Sequence, residues 1–101
     1  MYKPLPESLT IQQSGINGLG LFARESLKQG TNLGMSHLKI KETLFRTPLG
    51  GFINHSDNPN TEKASLLMKN DSFDYKKWNL VTLRDIKKGE ELTVNYTFYK
   101  I

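Results

Sequence analysis

Turn-forming residues interrupt this chain so often that the apolar segments between them are only long enough for short strands, which limits the fold more than any other feature. Leu9-Thr10-Ile11 alternates apolar and polar residues. It gives way to Ser14-Gly15-Ile16-Asn17-Gly18-Leu19-Gly20, where glycines and an asparagine permit positive φ and a tight return. Leu21-Phe22-Ala23 reads as the returning strand. Leu27 to Gly30 reads as a turn before an extended piece around Leu33 to Leu38. Ala64 to Lys69 and Trp78 to Leu83 are further strands, the second with apolar residues on both faces, and Asp71 to Lys77 is polar enough for the hairpin loop between them. Asp85 to Gly89 forms a turn before a last strand over Glu90 to Tyr96. No long 3.6-residue apolar period occurs, and only Ile40 to Phe45 offers a helical turn. The expectation is a mostly β domain of many short strands with little helix.

A chain of 101 residues holds one core, so residues 1–101 are expected to form a single domain. Cysteine is absent, which excludes disulfides and thiolate metal sites. With only His37 and His55 available, a zinc site would need carboxylates that nothing here arranges, so no metal is expected. No apolar run approaches a membrane span, and Met1 to Thr10 carries Pro4, Pro6 and polar residues where a secretory signal would be apolar. These features predict a soluble intracellular protein, in the cytoplasm or a host-cell interior, with no membrane partner. The formal charge of +4 is modest, and the pairs Lys76-Lys77 and Lys87-Lys88 are separated by acidic residues. That pattern favours a solvated surface over a nucleic-acid partner.

Individually, the candidate chemical groups are weak signals. Asn54-His55-Ser56-Asp57 sets histidine, serine and aspartate side by side, but a hydrolytic triad must converge in space, and local turn chemistry ending at Asn58-Pro59 explains the run better. Glu90 and Glu91 are strand neighbours that point to opposite faces, which is no arrangement for an acid/base pair. Gly18-Leu19-Gly20 lacks the third glycine and the following helix of a dinucleotide site. Tyr96, Phe98 and Tyr99 gather aromatic surface that could wall a pocket or close a core.

Their order is far more specific. Gly18-Leu19-Gly20-Leu21-Phe22-Ala23, then Phe52-Ile53-Asn54-His55-Ser56-Asp57-Asn58-Pro59-Asn60, then Gly89-Glu90-Glu91-Leu92-Thr93-Val94-Asn95-Tyr96 resemble the signature blocks of the SET-domain methyltransferases, in a minimal single-domain form similar to small viral or microbial members. The resemblance runs from about Leu9 to Tyr99. It implies a fold of small curved β-sheets whose C-terminal segment threads beneath the asparagine-histidine loop as a pseudoknot, which periodicity does not reveal. It implies S-adenosylmethionine as cofactor, held by the backbone of Gly18, Leu19 and Gly20, by Asn54, and by the backbone of His55, whose side chain is expected to pack structurally. Tyr96 matches the family's catalytic tyrosine, with Phe98, Tyr99 and Val94 along the substrate channel.

The implied reaction is methyl transfer to an amine, in first place a protein lysine. A small polyamine is the alternative substrate, and a catalytically weak binding module with the SET fold is the alternative class. Gly51 stands where an arginine is common, Asn95 where an aspartate is usual, and His37 lies in the strand where many members carry a channel tyrosine. The small size also suggests a homodimer that completes each site.

Overall fold

A computed structural model describes residues 5–69 and 74–95 of the chain. Eight strands and one short helix follow one another as β1 (Leu9–Gln13), β2 (Leu19–Ala23), β3 (Asn32–Ile40), β4 (Thr43–Arg46), α1 (Pro48–Phe52), β5 (Asn54–His55), β6 (Thr61–Lys69), β7 (Asp74–Thr82) and β8 (Glu91–Val94). They form two four-stranded sheets, ordered β1-β2-β8-β5 and β4-β3-β7-β6. The mostly β fold expected from the turn spacing is the fold observed. The C-terminal threading expected of a pseudoknot concerns residues after Asn95, outside the described residues.

Two local expectations need correction. Ile40 to Phe45 makes no helical turn: Ile40 pairs with Thr43 across a hairpin in which Lys41 has φ 55°, and β4 continues antiparallel to β3. The helix lies just after it, where Thr47 Oγ1 donates to Met35 O at 2.6 Å and ties the start of α1 to β3. The expected loop over Asp71 to Lys77 is also too long, because Asp74 to Lys77 already pairs with β6. The polar residues there belong to a strand of the β6–β7 hairpin, not to a loop.

One cluster of Leu9, Leu21, Ala23, Leu27, Leu33, Leu49, Ile53, Leu80, Ile86, Leu92 and Val94 draws on both sheets and on α1. On β7 the inward face carries Leu80 and Thr82, both buried, while Val81 on the other face is half-buried. A polar seam joins the sheets beside this core. Thr61 Oγ1 on β6 donates to Thr93 O on β8 at 2.7 Å, and Asn60 receives Thr93 N at 2.8 Å while donating to Glu91 O at 2.9 Å. Asn60 thus serves β8 as a neighbouring strand would, satisfying backbone groups that burial would otherwise orphan. Loops 24–31 and 83–90 brace each other through paired Leu27 and Ile86 backbone bonds of 2.8 Å.

Candidate functional site

The residues of all three signature blocks meet because β8 runs between β2 and β5. β2 lies antiparallel to β8, with Leu21 opposite Leu92 and Phe22 opposite Glu91. On the other edge β5 lies parallel to it, with Asn54 opposite Thr93 and His55 opposite Val94. Glu91 therefore sits between the glycine turn that enters β2 and the asparagine that opens β5.

The turn itself folds around one hydroxyl. Ser14 N donates to Gly18 O at 2.7 Å, and Ser14 Oγ accepts from the amides of Ile16 at 2.9 Å and Asn17 at 3.3 Å. This is the local turn that serine favours. The same hydroxyl donates to the Glu91 carboxylate, 2.8 Å from Oε1 and 2.7 Å from Oε2. Gly18 and Gly20 are needed for different reasons. Gly18 has φ 48°, a sign that side chains resist. Gly20 supplies space: a Cβ there would collide with the Glu91 carboxylate and stand 3.0 Å from Asn54 Nδ2.

Asn54 closes the cluster. Its buried Nδ2 lies 2.9 Å from Glu91 Oε2, 3.1 Å from both Ser14 Oγ and Asn17 O, and 3.2 Å from Leu19 O. All of these partners accept, so the amide nitrogen faces inward. The Leu19 side chain points to solvent at 52% exposure, and only its backbone joins the site. Of the residues expected to hold the cofactor, Gly18, Leu19, Gly20 and Asn54 are thus gathered at one place. Ser14 and Glu91, which join them, were not among the expected site residues. A serine opening a glycine-rich turn and a glutamate pair on a strand, one of which must face inward, were the available signals.

His55 follows on β5, but its side chain is half-exposed and stands 2.9 Å from Asp57 Oδ1 instead of packing inside. The 54–57 run is a turn, as its chemistry suggested: Ser56 Oγ accepts from Asn58 N at 3.0 Å. Val94, expected along the channel, lies in the core cluster at 2% exposure. Tyr96, Phe98 and Tyr99 lie outside the described residues.

His37 is buried on β3 in the second sheet. Its Nδ1 stands 3.0 Å from Ser36 Oγ, and its ring meets Trp78 edge-on with centroids 6.5 Å apart. Gly50 of α1 packs over it, where a Cβ would lie 2.8 Å from His37 Cε1. Burial first, then the charges of Lys63 and Arg46, lower the His37 pKa to about 4. At neutral pH it is an uncharged imidazole.

Two small sheets, signature blocks brought together across β8 and an asparagine buried against a glycine turn define a class of domain, and the comparisons agree on which. The SET-domain family profile matches residues 36–97. The chain belongs to the SET-domain family. Among solved structures, a Plasmodium falciparum protein provisionally described as a histone methyltransferase has the same fold, with a TM-score of 0.72 at 20% identity, covering 88% of this chain and 96% of that one. No curated protein matches the sequence.

Proposed function

We propose that this SET domain is an S-adenosylmethionine-dependent N-methyltransferase whose acceptor is a lysine side chain of a protein. The observation that carries the reading is that Asn54 Nδ2 donates to the Asn17 and Leu19 carbonyls, which seats the asparagine against the Gly18 to Gly20 turn. The residues fit the cofactor's amino-acid end. The turn is free of side chains at both glycines, and its carbonyl oxygens, with Glu91 behind them, suit an ammonium group. The description of the Plasmodium falciparum neighbour agrees with a protein acceptor.

When bound, S-adenosylmethionine supplies a methyl group on a sulfonium, ready for in-line displacement. The protein's part is alignment, and holding two reactants on a line is worth ~7 to 11 kcal/mol in well-oriented systems. A free lysine has a pKa of about 10.4, and an apolar channel lowers it by disfavouring the ammonium, so no dedicated base is needed. Tyr96 would orient the amine with its hydroxyl oxygen; at an ordinary pKa of about 10 it is a poor base. The test is mass spectrometry after incubation with methyl-labelled cofactor, with a protein extract in one reaction and a panel of polyamines in another. Label on protein lysines is expected. Label on polyamines alone would replace the acceptor, and label on neither would leave the fold without the activity.

A further inference from the structure

Glu91 has no part in the cofactor contacts that the resemblance assigns, yet it touches the residues that gather there. Both of its carboxylate oxygens accept from Ser14 Oγ, and Oε2 also accepts from Asn54. These links join residues 77 and 37 positions apart, so Glu91 on β8 adds a carboxylate to the direct bonds that Asn54 makes to the turn. Gly20 keeps the space that lets the carboxylate lie against the turn.

Two features go beyond what holding the fold together requires. First, the donors that this half-buried carboxylate meets among the described residues, Ser14 Oγ and Asn54 Nδ2, are both neutral. Second, Asn54 Nδ2 has two hydrogens and four acceptors within 3.2 Å. The cluster therefore holds spare acceptor capacity, a carboxylate included, where the Asn17 and Leu19 carbonyls converge. Carbonyl and carboxylate acceptors of this kind suit a cationic ligand.

We propose that Glu91, oriented by Ser14, is a positioning residue for the amino-acid end of the cofactor: it fixes Asn54 against the turn and supplies the charge that complements the ligand's ammonium. The inference rests on the proposed use of S-adenosylmethionine, and it adds that affinity for the amino-acid end depends on a carboxylate lying behind the contacting groups. Glu91→Gln keeps the shape, removes the charge and sets an amide N–H2 against donors. Ser14→Ala removes the orienting hydroxyl and leaves the carboxylate.

The experiment is calorimetry on the full chain and both variants with two ligands. S-adenosylhomocysteine carries the amino-acid end, and 5′-methylthioadenosine lacks it but keeps the adenosine. Each variant should bind S-adenosylhomocysteine about 10- to 100-fold more weakly, the effect of losing a charge-assisted hydrogen bond. Binding of 5′-methylthioadenosine should change by less than about two-fold, within the scatter of distant substitutions. Equal weakening of both ligands, or of neither, would overturn the positioning role while leaving the cofactor in place. Wild-type protein that binds neither ligand would overturn the cofactor reading and this inference with it. Should Glu91→Gln fail to fold, Ser14→Ala, at a half-buried turn position, carries the same comparison.

Discussion

Glu90 and Glu91 are adjacent on the chain and do unlike work, because Glu90 closes the turn and Glu91 opens β8. Glu90 faces solvent, takes Arg84 Nη2 at 2.9 Å and Lys87 N at 2.9 Å, and fixes the turn before β8. The Arg84 hydrogen bond, with the backbone contact from Lys87, holds its carboxyl below the usual range. Glu91 turns inward to Ser14 and Asn54. Gly20 and Gly51 make a similar contrast that can be measured. Gly20→Ala would drive a methyl into the Glu91 carboxylate, and overpacking of this kind costs about 1 to 3 kcal/mol. Nothing lies within 4 Å of a Cβ at Gly51, at the exposed end of α1. Gly51→Ala should therefore be neutral or stabilise by about 0.5 to 1 kcal/mol, the ordinary helical preference for alanine. Urea unfolding of both variants checks the pair, and a destabilised Gly51→Ala beside an unaffected Gly20→Ala would refute the packing around the turn. Tyr96→Phe tests the catalytic assignment: if the hydroxyl acts in the transition state, turnover should fall on the order of 10²- to 10³-fold with cofactor affinity and melting temperature held. An active but less stable variant would make that hydroxyl a structural hydrogen bond instead.

Within the elements, β3 carries the clearest pH response. His37 titrates near 6.5 when unfolded and about 4 when folded, so the unfolded chain takes up its proton first as the pH drops. Its contribution to stability is full above pH 6.5, declines as the pH falls towards 4, and is lost below it. A shift of this size corresponds to on the order of 3 kcal/mol. His37→Gln should flatten the stability profile across that window, measured as urea midpoints at several pH values; an unchanged slope would place the acid sensitivity elsewhere. The elements also show what a sequence can and cannot reveal. Strands β1, β2 and β8 were legible because glycine, asparagine and paired-lysine turns bracket alternating apolar residues. β4 was not, since Lys41 adopting φ 55° in a tight turn leaves no glycine to mark it. Nor was α1, whose Pro-Leu-Gly-Gly-Phe sequence has no helical period and is held by Thr47 reaching back to β3. In the candidate site, the motif order singled out Gly18, Leu19, Gly20 and Asn54, which the fold brings together. The bond from Ser14 to Glu91 spans 77 positions, and no local pattern announces a contact that only the sheet order creates.

At the scale of the whole molecule, the question is whether the two sheets unfold together. Leu21 and Leu92 belong to the first sheet, and Leu33 and Leu80 to the second, yet all four lie in one buried cluster. The polar seam of Asn60, Thr61 and Thr93 crosses between the sheets, and loops 24–31 and 83–90 are hydrogen-bonded to each other. Melting either sheet alone would expose half of that cluster and strand the buried amide and hydroxyls of the seam, so local opening of one sheet should cost nearly as much as global unfolding. Leu80 is fully buried, and Leu80→Ala should remove about 2 to 5 kcal/mol. Native-state amide exchange reads the consequence at both ends. Exchange at Leu21 and Leu92 should accelerate by the same free energy as exchange at Leu33, although the substitution lies in the other sheet. Trp78, the one tryptophan of the chain, reports the second sheet by fluorescence, and its urea transition should coincide with the loss of far-ultraviolet signal. If protection at Leu21 and Leu92 survives while the second sheet exchanges freely, the glycine turn stands on a sheet that folds independently, and the single cooperative core is wrong.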